Sequence, residues 1–504
     1  MSLAIVYSRS NAGLDSPLVS VEVHLANGLP SFSIVGMPET AVKESRDRVR
    51  AAIINSGLNF PVKRITVNLA PADIPKDGGR FDLPIALGIL AASEQVPQEQ
   101  LTGYEFLGEL SLGGHLRGVR GVLPTAVKAH SMRRKLILPL DNADEACLIK
   151  GLKVYPARNL QEVVKHLQGD EALPRWEQTI QVQAQRYPVD LADVKGQFQA
   201  RRALEIAAAG GHNLLMVGPP GTGKTMLASR LVTILPDLSE QEALESATIA
   251  SISHQGFDVS RWGQRPVREP HHTSSGVALV GGGSQVLPGE ISLAHHGVLF
   301  LDELTEFERK TLDTLREPLE TGKITLSRAA RQATYPAQFQ LVAAMNPCPQ
   351  GRACDFQTNC ECTPEQQKRH RMRISAPFLD RIDLQVDVPR VRQEDLQSLV
   401  VAEGSVEVRS RVERARERQQ RRQHKINNQL AGSEVNQYCT LSKKDQNLLS
   451  HAMEQFKLSA RAYHRILKVA RTIADLAESE GIQTKHLSEA LSYRALDRLA
   501  AMSA

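Results

Sequence analysis

The run Gly218-Pro219-Pro220-Gly221-Thr222-Gly223-Lys224-Thr225 lies between an apolar stretch, Leu214-Leu215-Met216-Val217, and a helical pattern that starts at Met226. A strand, a glycine-rich turn and a helix in that order call for a parallel sheet covered by helices, because the helix must cross back over the sheet that the strand enters. Gly221 and Gly223 let backbone N–H groups wrap phosphate oxygens at a helix N-terminus. Lys224 then reaches the terminal phosphates, and the Thr225 hydroxyl can hold Mg²⁺. ATP and Mg²⁺ are the cofactors implied.

A second apolar run, Val298-Leu299-Phe300-Leu301, ends in Asp302-Glu303. In the same parallel sheet Asp302 would bind the Mg²⁺ shell, and Glu303 would orient and deprotonate a water for attack on the terminal phosphorus. Lys224 and Asp302 are 78 residues apart (302 − 224). One helix and one strand do not fill that interval, so a segment is inserted. Its site is the run Arg268 to Gly289, with Pro270-His271-His272-Thr273 and Gly281-Gly282-Gly283. Adjacent strand residues point to opposite faces and no third ligand has a suitable spacing, so loop packing or DNA contact is preferred over a metal.

With 504 residues and 41% hydrophobic content the chain has room for three packed domains. A formal charge of +5 permits a nucleic-acid partner without demanding one, and 4% aromatic residues favour backbone tracking over base stacking. The N-terminal residues lack the pattern of a secretory signal, and no apolar run reaches the roughly twenty residues that span a bilayer. A cytoplasmic protein with no membrane partner is expected.

Residues 1–168 alternate short β-branched strands, such as Val19 to Val23 and Ile65 to Leu69, with helical stretches near 40–56 and 82–93. They read as an α+β domain. Residues 169–190, with Pro174 and Pro188, read as a linker, and 191–390 as a three-layer α/β core. Residues 391–504 read as all-helical. Within them Arg409 to Lys425 is dense in Arg and Gln, which fits a solvated helix with ion pairs better than a phosphate-tracking surface.

These motifs resemble the AAA+ ATPases, and among them the magnesium-chelatase-like group that includes the ComM/YifB family. The resemblance spans the chain through Gly210-Gly211-His212-Asn213, Pro270-His271-His272-Thr273, Pro288-Gly289-Glu290-Ile291-Ser292-Leu293-Ala294-His295 and Val469-Ala470-Arg471-Thr472-Ile473-Ala474-Asp475-Leu476. It implies that Asn346, after Ala343-Ala344-Met345, is a sensor for the terminal phosphate or the attacking water. It implies that Arg381, in Phe378-Leu379-Asp380-Arg381-Ile382-Asp383-Leu384, is an arginine finger offered to a neighbouring subunit, and that Arg461 is a second sensor on a helical lid formed by 391–504. Hydrolysis would then depend on ring assembly. The segment Lys323 to Pro336 resembles a hairpin that projects into the ring pore, which makes Arg328 and Arg331 candidates for DNA contact; a solvated hairpin tip explains them nearly as well.

The first domain resembles the proteolytic domain of Lon with its chemistry missing. Pro75-Lys76-Asp77-Gly78-Gly79-Arg80 places Arg80 where that family has its serine, and Leu123 falls near the position of its lysine. Without a hydroxyl nucleophile and an amine to activate it, the peptidase mechanism is not available, and a binding or assembly role is expected. Cys348, Cys354, Cys360 and Cys362 have the number and chemistry for structural Zn²⁺, with His370 as a substitute ligand, but their spacing is irregular and a loop of reduced thiols fits as well.

The resemblance implies a homohexameric motor that hydrolyses ATP between subunits and unwinds single-stranded and branched DNA, or migrates its branches, in recombination during natural transformation, with recombination proteins as further partners. The alternatives are a magnesium-chelatase motor subunit acting on a porphyrin-holding partner, a Lon-like ATP-dependent protease, and a regulator that uses ATP only to assemble.

Overall fold

The computed structural model describes residues 2–177, 187–283, 286–328, 331–350, 362–397, 402–456 and 458–494. In the first of these stretches, strand Leu18–Ala26 buries Val19, Val21, Val23 and Leu25 on one face, the period of two that its sequence carries. It pairs antiparallel with Ser2–Arg9 on one side and Arg64–Ala70 on the other, and Ser31–Val35 joins the latter in parallel. Helix Asp82–Ala92 is buried along its whole length against this sheet. Its approach is close enough that a Cβ on Gly88 would fall 2.5 Å from Val23 Cγ2, which explains a glycine inside a helix. A second, parallel sheet of Tyr104–Phe106, Lys135–Pro139 and Val154–Ala157 completes the unit.

Helix Leu160–Gln168 ends at Gly169, whose φ of 85° closes it in a left-handed turn. The beginning of the expected linker is not free of this unit. Leu173 is buried, Trp176 N donates to the Val154 carbonyl at 2.9 Å, and the indole Nε1 donates to Asp144 Oδ1 at 2.8 Å. Two apolar side chains in an otherwise polar stretch account for the difference. At its other end, Asp190 Oδ1 accepts from Ser405 N and belongs to the core that follows.

That core is a five-stranded sheet in the order Val267–Arg268, Val298–Leu301, Gln340–Met345, Leu214–Val217, Leu384–Asp387, parallel throughout. Both faces are covered, as its continuous apolar strands require. Leu214, Met216, Phe300, Val342 and Val386 enter one hydrophobic cluster with helices Phe198–Gly210, Lys224–Ile234 and Ala460–Leu476. Leu215, Val217, Leu299, Leu301 and Ala343 enter a second with Ile291, Leu304 and Phe378. Between Ser251 and Val298 the inserted segment holds strand Val267–Arg268, helix Gly276–Val280 and a two-residue pairing of Gly281–Gly282 with Leu287–Pro288.

After the last core strand come helices Gln393–Gln397, Ser405–Gln423, Gly432–Tyr438, Lys443–Gln455, Ala460–Leu476 and Thr484–Ser492. The arginines of Ser405–Gln423 are largely committed to acids on other elements: Arg411 to Glu205, Arg409 to Asp237, Arg422 to Asp475 and Arg414 to Glu478. Arg416 is half-buried and donates twice to the Ala208 carbonyl. The basic run therefore fastens the helices to the core. Among the described residues no helix is long and apolar enough to cross a membrane.

Candidate nucleotide site

Three strand ends meet at the carboxyl edge of the parallel sheet. Strand Leu214–Val217 delivers the glycine turn, Val298–Leu301 delivers Asp302 and Glu303, and Gln340–Met345 delivers Asn346. Gly221 and Gly223 take φ values of 78° and 88°, and helix Lys224–Ile234 starts directly after them. At Gly218 a Cβ would lie 2.2 Å from the Val388 carbonyl oxygen, while one at Gly221 would meet nothing within 4 Å. The turn is thus tight against the sheet and open on its outer side, as a cradle for phosphates must be.

Lys224 Nζ donates to the carbonyls of Gly218 and Pro219, at 2.7 and 2.8 Å, and to Asn346 Oδ1 at 3.2 Å. Burial pulls its pKa below the ordinary lysine value, with Asp302 and Glu303 opposing that shift. Thr225 Oγ1 donates to Asp302 Oδ2 at 2.6 Å, and Asp302 Oδ1 accepts from Glu303 N at 2.8 Å. Pro220 is exposed at the outer edge of the turn, and the Thr222 hydroxyl donates to the Pro219 carbonyl at 3.0 Å. A lysine, a hydroxyl and a carboxylate converge on one open edge, so the residues fit a nucleoside triphosphate with Mg²⁺, which Thr225 and Asp302 would hold.

Glu303 sits at φ 50°, an uncommon backbone for a residue with a side chain, and its Oε2 lies 3.3 Å from His272 Nδ1. The adjacent His271 ring lies 4.1 Å from that of His272. His272 joins the inserted segment to the carboxylate expected to activate water. Its sequence motif was legible, but a contact 31 residues away in the chain left no local signal. Glu269 is a further acid at this edge; burial raises its pKa, and Asp302 adds to the shift.

The two expected arginines converge elsewhere. Arg381 is buried, with Nε donating to the Arg316 carbonyl at 3.0 Å, Nη1 to the Pro377 carbonyl at 2.5 Å and Nη2 paired with Glu320 Oε1 at 2.6 Å. Arg461 is exposed and lies 3.8 Å from the same Glu320 oxygen. Among the described residues neither guanidinium pairs with the phosphate loop or the acidic pair. Glu320, which gathers both, carries no motif. Behind Arg381, its carbonyl accepts from Asn213 Nδ2 and from Arg465 Nη1, and Arg465 Nη1 also reaches Asp383 Oδ1 at 2.6 Å. Burial would raise the Asp383 pKa, but Arg465 and His212 hold it well below the ordinary carboxylate range.

Cys348 and Cys362 are buried, whereas Cys354 and Cys360 lie outside the described residues. His370, the substitute ligand, has Nε2 3.1 Å from the Asn346 carbonyl, a position that requires the proton on that nitrogen. Nothing here supports zinc. Among the described residues the group compact enough for a metal is Glu245, His295 and His296. His295 Nδ1, however, accepts from Gln338 N, so Nε2, the atom facing Glu245, carries the proton. That cluster is hydrogen-bonded rather than ligating. The side chains of Arg328 and Arg331 lie outside the described set, although their backbones pair at the end of the hairpin Lys323–Arg328 and Arg331–Pro336.

Residues 190–396 match the family described as magnesium chelatase, subunit ChlI; residues 21–142 match subunit ChlI of Mg-chelatase; and residues 402–494 match the subunit's C-terminal family. The YifB protein of Escherichia coli is 54% identical over 501 residues, which cover 99% of this chain and 98% of that one. The competence protein ComM of Haemophilus influenzae is 52% identical over 504 residues, 99% of each chain. The chain belongs to the ComM/YifB family of magnesium-chelatase-like AAA+ proteins. This ComM/YifB chain also shares 28% identity with Lon protease 2 of Bacillus subtilis over 187 residues, 32% of its own length and 33% of the other. ATPase chemistry using ATP and Mg²⁺ follows from the family and suits the geometry of the phosphate loop.

Proposed function

We propose that this ComM/YifB chain is an ATP-driven DNA motor that works as a homohexameric ring, unwinding or migrating branched DNA in recombination during natural transformation. The observation that carries the ATPase half is the junction of Lys224 with Asn346 and of Thr225 with Asp302, which gathers three separate strand ends on one phosphate-sized edge. The DNA half is supported by 52% identity, along the whole chain, to a competence protein. Lys224 and the backbone of residues 218–223 bind the phosphates, Asn346 reads the terminal one, and Glu303 orients the attacking water. Bound Mg²⁺ would neutralise phosphate charge between Thr225 and Asp302.

Arg381 serves a neighbouring subunit in this reading, and Arg461 reports nucleotide to the helical region. Glu320 is then the group Arg381 must leave in order to reach across, which ties turnover to assembly. A magnesium-chelatase motor predicts stimulation of the ATPase by a porphyrin-holding partner instead of DNA. A Lon-like peptidase has no support in the first unit, where Arg80 and Leu123 are both buried.

The test is to mix purified protein with labelled forked and three-stranded DNA, using ATP and a non-hydrolysable analogue. ATP-dependent displacement with DNA-stimulated hydrolysis is expected. No stimulation and no displacement would sink the motor reading while leaving the ATPase assignment standing.

A further inference from the structure

The arginines of helix Ser405–Gln423 are largely taken up by acids on other elements, but the exposed cations of helix Pro364–Arg371 are not. A reciprocal cap starts this shorter helix: the Thr363 hydroxyl accepts from Gln366 N at 3.3 Å, and Thr363 N donates to Gln366 Oε1 at 3.0 Å. Its outer side carries Lys368 and Arg369, and Met372 and Arg373 follow; all four are exposed. Among the described residues neither Lys368 nor Arg369 has an ion pair or a side-chain hydrogen bond, and the same holds for Arg309 on the segment opposite. A run of charge is usually a solvated face. Here the cations line the two walls of a cleft.

The cleft runs between helix Pro364–Arg371 and the segment Thr305 to Arg309, which follows the acidic pair, and it holds about 800 Å³. Arg309, Lys368, Arg369 and Arg373 line it against two carboxylates, Glu306 and Glu365. Glu306 is already paired with Arg373 at 3.0 Å, which leaves Glu365 against three cations. The cleft is open to solvent, a shape that suits a chain lying along it better than a small molecule, which buries most of its surface when bound. Phe307 is buried beneath it and offers no ring to a base, while Met372, 62% exposed, stands at the rim.

We propose that this cleft takes the sugar–phosphate backbone of a DNA strand, with Arg309, Lys368 and Arg369 on its phosphates. The proposal rests on the DNA-motor reading and adds a contact outside the hairpin that carries Arg328 and Arg331. Each cation that meets a phosphate releases a counterion, so three unpaired cations along one groove make a site that tracks the backbone and reads no sequence. Both walls are bonded to the nucleotide site. His370, on the inner side of the helix, donates from Nε2 to the Asn346 carbonyl at 3.1 Å, and Arg373 Nη1 donates to the Thr305 carbonyl, two residues after Glu303, at 3.1 Å. A strand seated here bears on the segments that carry Asn346 and the carboxylate expected to activate water, the connection that DNA-stimulated hydrolysis needs.

The test is binding of a fluorescently labelled oligothymidylate to the full-length protein, held with a non-hydrolysable ATP analogue and followed by anisotropy over a series of salt concentrations. The parent is compared with the triple variant Arg309→Ala, Lys368→Ala, Arg369→Ala, and with a control that removes the same charge from exposed Lys443, Lys444 and Lys485 in the helical region. Loss of three phosphate contacts lowers the slope of log affinity against log salt by about two, and affinity falls about tenfold or more at low salt. The control is expected to keep the slope of the parent. Because all three cleft side chains are exposed, the triple variant is expected to unfold at the temperature of the parent. An unchanged slope in the triple variant, or an equal fall in the control, overturns the proposal. Lost assembly with an unchanged slope, read by sedimentation, also overturns it and makes the cleft an interface between copies of this chain. A parent that binds no strand at any salt concentration overturns the DNA-motor reading itself, and this proposal with it.

Discussion

Thr225 Oγ1 donates to Asp302 Oδ2 at 2.6 Å, joining the first turn of the phosphate-loop helix to the end of a strand 77 residues further along the chain. One short hydrogen bond thus places the two groups expected to hold Mg²⁺ side by side. Lys224 is placed with equal definition by two loop carbonyls and Asn346.

Lys224→Ala is therefore expected to abolish nucleotide binding, measured with a fluorescent ATP analogue. Asp302→Asn retains binding but lowers turnover about 100-fold or more, a loss of roughly 3 kcal/mol of transition-state stabilisation. Raising Mg²⁺ recovers only part of it, because the carboxylate charge itself is gone.

His272→Ala is expected to lower kcat about tenfold with KM for ATP unchanged. The imidazole touches Glu303 and not the phosphate loop, and loss of one orienting contact is worth roughly 1.4 kcal/mol. Steady-state kinetics separate the two constants; a changed KM would place His272 in binding instead.

Arg465→Met breaks the pair with fully buried Asp383 and leaves that carboxylate without its main counter-charge. A loss of about 3 kcal/mol is expected, read from denaturant unfolding, with partial recovery in Arg465→Lys.

The N-terminal unit is expected to lose stability as pH rises. Burial lifts the Glu145 pKa from 4.5 to about 7, against hydrogen bonds from Ser251 and Asn142. A carboxyl whose pKa is raised by folding contributes fully below about pH 4.5, and the contribution is lost as pH rises through about 7. About 3 kcal/mol is at stake across that window. Glu145→Gln keeps a neutral partner for Ser251, so it unfolds at a higher temperature than the parent at pH 8 and at nearly the same temperature near pH 5.

The phosphate loop, the acidic pair and Asn346 were legible because each is a strand end followed by residues whose chemistry has a fixed spacing. Their meeting needed only the rule that parallel strands present the same edge. The partners of the expected arginines were not legible. Arg381 and Arg461 meet at Glu320, and Arg381's backbone is clamped by Asn213 and Arg465, through contacts 61 to 168 residues apart that no local pattern encodes. The basic helix shows the same limit. Its arginines looked solvent-facing by composition, yet Arg416 is half-buried and bonded to the Ala208 carbonyl, because the faces of a helix are assigned by what packs on them. Residues 169–190 read as linker from Pro174, Pro188 and their polarity, while Leu173 and Trp176 pack the first part of the stretch onto the N-terminal unit.

Glu303 is expected to activate water at the edge where Lys224, Thr225, Asp302 and Asn346 converge. The most direct measurement compares Glu303→Gln with the parent for ATP binding and steady-state hydrolysis under identical conditions. Affinity within about twofold of the parent, with turnover reduced by about 100-fold or more, is expected. Robust hydrolysis by Glu303→Gln would contradict the assignment.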